Sequence, residues 1–163
     1  MDPVLKYFQA ERTWCWFGLA TTTFAIVISI YFMVKLKQPF YNGMSYSLIL
    51  LSLLLGSICV SVISRAPKDI ARVTTIIQNQ KQELATTEIP RMTAVQRNFN
   101  VFITGEIILV IVCGVAFFLL SKESTWRGVA TGVLVYALYL MAFDTIAHAR
   151  GKVYLDYLNS LIQ

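Results

Sequence analysis

Four stretches of this chain are apolar over the full thickness of a bilayer. Trp14 to Val34 is 21 residues without a charge, and Met44 to Ile63 is 20 more. Val101 to Leu120 is interrupted only by Glu106, and Gly128 to Ala147 only by Asp144. A spanning helix needs roughly 20 apolar residues. Backbone groups in lipid must be satisfied internally, so each stretch is expected as a helix. Strand-type alternation is absent, which argues against a β-barrel. Composition agrees: 56% hydrophobic, 14% charged, mean hydropathy +0.62 over 163 residues, against about 25% charged in soluble domains. The expected fold is all-α, a single membrane domain built as a four-transmembrane-helix bundle.

The first stretch follows 13 polar-to-mixed residues and is longer than a signal-peptide core, with no small-x-small site after it, so it reads as a retained span. Aromatic residues flank the spans as anchors in the interfacial belt: Trp14, Trp16 and Phe17 at one end of span 1, Tyr31 and Phe32 at the other, Phe40 and Tyr41 beyond, and Trp126 before span 4.

Lys and Arg set the orientation. The N-terminus, residues 64–100 and the tail 148–163 share one side and carry ten of them; the two short loops carry Lys35, Lys37, Lys122 and Arg127. This places both termini and the long loop in the cytoplasm. It also accounts for the net charge of +5 without nucleic acid, for which no reading motif is present.

Residues 64–100 carry their own helical pattern. Ser64-Arg65-Ala66-Pro67 reads as a helix end and a new start, with Pro67 near the first helical position. Ile70, Val73, Ile77 and Leu84 then form an apolar stripe opposite Arg72, Gln78, Gln80, Lys81 and Gln82. This predicts an amphipathic cytoplasmic helix between spans 2 and 3, broken at residues 86–90, with Met92, Val95 and Phe99 leading into span 3. The two arms measure about 27 Å and about 16 Å as helix. Their inequality predicts that the first arm tilts along the surface or packs beside the bundle. It offers either a surface for a partner or anionic lipid, or a cover for the bundle mouth. In the tail, Val153, Tyr154, Tyr157, Leu158 and Leu161 predict that the fourth helix continues to about residue 160.

Glu106 and Asp144 carry the chemical interest. A charge inside a span costs about 2.5–3.5 kcal/mol at the centre and less near the ends. Glu106 lies roughly 8 Å and Asp144 roughly 5 Å inside the cytoplasmic edge, on helices joined by a short loop. His148 is one turn from Asp144, and Arg12, Arg97 and Arg150 lie near the same level. Two readings stand. One is a carboxylate pair binding a proton or cation. The other is a structural cluster tying helix ends through arginines. Ser52-xxx-Gly56 and Gly128-xxx-Gly132 are small-residue pairs that permit close helix contact.

Known catalysts are not matched. A single histidine excludes bis-His haem, the H-E-x-x-H protease and the di-iron bundle. Cys15, Cys59 and Cys113 each stand alone and read as reduced, buried thiols. No G-x-S-x-G, second intramembrane aspartate or phosphate loop is present. No enzyme, cofactor or metal is expected.

In layout the chain resembles the small polytopic inner-membrane proteins that bacteria make as immunity proteins against pore-forming toxins. They are similar in span number and size, in cytoplasmic termini and in lacking catalytic groups. The resemblance implies a non-enzymatic protein of the bacterial inner membrane whose partners are the bilayer and a membrane-inserted toxin. The toxin's helices would meet the faces around Ser52, Gly56, Gly128 and Gly132. The alternatives are a small proton- or cation-coupled transporter, a homo-oligomer using Glu106 and Asp144, and an accessory subunit docking through residues 67–84.

Overall fold

The computed structural model describes residues 3–79 and 83–162, and among these every regular element is helical. Helix α1 runs Pro3–Tyr31 and ends in a wider turn, Phe32–Leu36. Helix α2 is Pro39–Asn79. A second wide turn, Leu84–Glu88, leads into α3, Ile89–Leu119, and α4 is Thr125–Ser160. All four are long and apolar enough to cross a membrane. Gln80, Lys81 and Gln82, assigned above to the polar face of the loop helix, lie outside the described residues, as do Met1, Asp2 and Gln163.

The connections have local causes. Lys37 takes a left-handed conformation (φ 48°) and its N–H reaches back to the Phe32 carbonyl, which stops α1. Pro39, with no N–H to leave unpaired, starts α2. Ser124 caps α4 by accepting from the Trp126 N–H at 3.2 Å.

Pro67 does not begin a new helix. It lies inside α2, which continues unbroken for 41 residues, about 60 Å at helical rise. The reason is register. Ser45, Leu48, Ser52, Leu55, Cys59, Ala66, Val73 and Ile76 are buried, with Val62 and Asp69 half-buried between them. These positions alternate three and four apart without a slip, the seam of knobs-into-holes packing. Pro67 falls on the exposed side of that seam. Helix α1 shows the same spacing at Val4, Phe8, Cys15, Gly18, Thr22 and Ser29.

Two cores stack along the bundle. One gathers Val4 and Phe8 of α1, Val73 and Ile76 of α2, Leu84, Met92 of α3, and Tyr154 and Leu158 of α4. Both chain ends and the 64–100 segment therefore share one end of the molecule. Residues 67–79 continue α2 rather than forming a separate helix, and α4 reaches Ser160 as expected. Val153, assigned to the tail's apolar stripe, instead faces outward. The second core, at span level, holds Cys15, Leu48, Leu55, Cys59, Tyr136 and Phe143.

At span level, α2 is central. It packs along α1 and along α4, and α1 also touches α4, through Thr21 and Tyr139 (2.6 Å between hydroxyls) and Trp14 stacked near Phe143. Helix α3 lies outside this trio, along α4. Its only fully buried span-level residues are Glu106 and Cys113, seven apart on one face.

Candidate functional site

The six polar residues singled out near one end of the spans do not form one cluster; they separate into a carboxyl pair, one arginine held in an ion pair with Glu11, and three outlying groups. Glu106 points from α3 into the α3–α4 seam and is 7% exposed. Its side chain meets that of Asp144 on α4 within hydrogen-bonding reach. Glu106 Oε2 is buried and has no hydrogen-bond partner. No arginine stands against either acid: among the described residues, neither takes part in an ion pair. The arrangement can hold one proton, or a small cation, between two carboxyl groups.

Arg150 belongs to a different contact. It pairs with Glu11 of α1 at 3.1 Å, donates to the Ala10 carbonyl at 3.4 Å, and lies over the Trp14 ring at 5.4 Å. Burial pushes the Glu11 carboxyl above its ordinary value, the Arg150 charge opposes this, and Asp144 adds to it. Glu11 is thus an acid the sequence reading missed. Nothing local marks it, because its partner is more than a hundred residues away. Arg12 and Arg97 are exposed, and His148 is half-buried with its ring 6.0 Å from that of Phe99.

A second missed acid is Glu88, 1% exposed at the entry to α3. Arg91 grips it with two contacts, Nε–Oε2 at 2.9 Å and Nη2–Oε1 at 2.5 Å. Arg72 of α2 reaches it at 3.2 Å, and the Tyr154 hydroxyl of α4 donates to Oε1 at 3.4 Å. Hydrogen bonding to Glu88 holds Arg91 more firmly protonated than usual, and burial beside Glu88 pushes the Tyr154 hydroxyl up. This hub ties the turn after α2 to three helices.

The small-residue faces are already occupied by this chain. Ser52 is buried with its hydroxyl toward Tyr136, and Gly56 lies opposite Thr22. A Cβ on Gly128 would overlap the Phe40 carbonyl, and one on Gly132 the Ser47 hydroxyl. The first turns of α2 and α4 thus touch backbone to backbone. Ser52, Gly128 and Gly132 serve the contact between α2 and α4, and Gly56 that between α2 and α1, the close helix contact that their spacing permits.

Cys15 and Cys59, read as isolated, are side-chain neighbours across α1 and α2, with Cys59 Sγ against Gly18. Both thiols are free and buried, as is Cys113. Among the described residues no three His, Cys, Asp or Glu side chains converge to hold a metal.

A scan against protein-family models and searches of curated proteins and of solved structures match nothing to this chain.

Proposed function

We propose that this chain is a non-enzymatic multi-pass protein of the bacterial inner membrane that works by binding another membrane-inserted helix, and that its concrete task is immunity against a pore-forming or membrane-targeting toxin. The observation that supports this is the position of α3. It leans on α4 alone at span level and turns Phe102, Ile108, Ile111, Val112, Val115 and Phe118 outward. Gly105 and Gly114 on the same helix have nothing within 4 Å of a built Cβ. An incoming helix has here a long apolar surface with places for close approach. The faces first expected to receive it are spent on internal packing, so the docking surface moves to α3.

The test is expression in toxin-sensitive cells, with membrane potential as readout. Protection from depolarisation, and a photocrosslink to the toxin from Ile108 or Val112, are the expected results. Depolarisation unchanged despite correctly inserted protein sinks the reading. In this proposal both termini face the cytoplasm, in line with the ten-to-four Lys and Arg distribution.

A second reading has its own observation, the Glu106–Asp144 pair without a cation partner. Intramembrane acids mark proton and ion paths. A coupled transporter would lose proton- or cation-dependent flux in proteoliposomes on Glu106→Gln or Asp144→Asn while staying folded. Flux unchanged in both variants would reject it.

A further inference from the structure

At the end of the bundle opposite the termini, the start of α2 and the turn from α3 to α4 enclose a cavity of about 600 Å³. Phe40 and Tyr41 line it from α2, and Phe117, Lys122, Glu123 and Arg127 from the other side. Its walls are held in place by close backbone contact. A Cβ on Gly43 would overlap the Thr125 carbonyl, just as one on Gly128 would overlap Phe40. Tyr41 is further fixed by ring contacts to Phe40 at 5.3 Å and Phe32 at 5.4 Å.

The polar part of the lining is unbalanced. The Arg127 guanidinium lies over the Phe117 ring, 4.2 Å from its centroid, a cation–π contact that occupies the face of the ring and involves no carboxylate. Among the described residues neither Arg127 nor Lys122 makes an ion pair. Two cations face one anion, Glu123, above an aromatic floor. Phe118, Leu119 and Trp126 beside the cavity are largely exposed, so it opens at the level where the apolar surface of the spans ends.

We propose that this cavity binds the headgroup of an anionic phospholipid. Arg127 and Lys122 contact its phosphate, and Phe40, Tyr41 and Phe117 receive the glycerol and the first methylenes of the chains. The chemistry selects among ligands. A free phosphate would leave the aromatic half of the cavity unused. A zwitterionic choline lipid brings a cation toward two cations. An anionic amphiphile satisfies both halves, and a planar guanidinium suits phosphate oxygens.

Native mass spectrometry of the full chain, released from mixed phosphatidylglycerol and phosphatidylcholine bilayers, tests this. One phosphatidylglycerol is expected to stay bound in preference to phosphatidylcholine. Lys122→Gln with Arg127→Gln should reduce its retention about thirtyfold, taking roughly 1 kcal/mol for each basic group near anionic lipid. Glu123→Gln should raise retention, an increase that a misfolded variant would not produce. Equal retention of the two lipids, retention unchanged by either set of substitutions, or displacement by millimolar inorganic phosphate alone would overturn the proposal.

Discussion

Glu106 and Asp144 face each other across the seam that holds α3 to α4, and no arginine accompanies them. Two carboxyl groups can share such a seam when one carries a proton, and an amide can take that place. Glu106→Gln is therefore expected to leave thermal stability within about 1 kcal/mol of the parent, since one hydrogen-bonding group replaces another of the same shape. Glu106→Ala, which strands Asp144, should cost about 2 kcal/mol or more. Thermal melts in detergent check both. A collapse of the Gln variant would show that the ionised acid is itself structural.

The glycines divide into two classes with opposite expectations. Gly43→Ala and Gly128→Ala push a methyl into the backbone of the facing helix. Each should cost about 3 kcal/mol or more, because neither α2 nor α4 can give way. Gly105→Ala and Gly114→Ala meet open space and should raise helix stability by about 0.5–1 kcal/mol. Melting temperatures of the four variants, measured side by side, decide this.

At the Glu88 hub the two arginines should differ in weight. Arg91 grips the acid through two atoms with its side chain 30% exposed, whereas Arg72 makes a single contact to it at 47%. Arg91→Gln should cost about 2 kcal/mol, as for a hydrogen bond to a charged group. Arg72→Gln should cost less than about 1 kcal/mol, as for an exposed ion pair. Glu88→Ala removes the common acceptor and should exceed either. Equal effects for the two arginines would mean that the bidentate grip contributes nothing special.

Glu11 gives the molecule a pH signature. Its carboxyl titrates above its ordinary 4.5 because it is buried. The folded state therefore holds this proton more tightly than the unfolded state does. Stability from this group is full below pH 4.5 and falls as pH rises through the folded value. Glu11→Gln should flatten that part of the stability–pH curve. An unaltered slope in the variant would remove Glu11 as its source.

Lys37 is the one described non-glycine residue with positive φ. A left-handed conformation costs an ordinary L-residue roughly 1–2 kcal/mol, part of which glycine recovers. Lys37→Gly should stabilise the protein by about 0.5–1 kcal/mol in denaturant melts, and destabilisation would contradict the turn as described.

The helical spans were legible because lipid forces long uncharged runs, and Trp14–Val34 and Met44–Ile63 have no other economical solution. The packing inside them was much less so. In water, a buried face announces itself by apolar residues; at span level here small hydroxyls share the buried face with Leu48, Leu55 and Phe143. Thr22, Ser29, Ser45 and Ser52 are inside, while Phe24, Val27, Leu50, Leu53 and Ile58 face out. Large apolar residues thus lie on both faces and do not mark the seam. Outside the spans the ordinary rule returns at Val73, Leu84 and Leu158, which are buried, although Val153 of the tail stripe faces out. Pro67 misled because proline normally ends a helix; the uninterrupted seam on both sides of it was the stronger signal. Of the site, Glu106 and Asp144 were found because acids in apolar runs are rare. Glu11 and Glu88 were not, since each sits in mixed sequence and owes its burial to partners distant in the chain. The same holds for Cys15 and Cys59.

The place of α3 has a consequence for how the chain is made. During synthesis α1 and α2 can zip together as soon as both have entered the bilayer. Helix α3 comes next with Glu106 on its surface, but the helix that covers this acid is still on the ribosome. Until α4 arrives, α3 must wait as a solitary segment with an acid facing lipid or the insertion machinery. The last span thus completes its own packing and also gives the third a reason to stay, so loss of α4 should expose α3 to membrane quality control while sparing the α1–α2 hairpin.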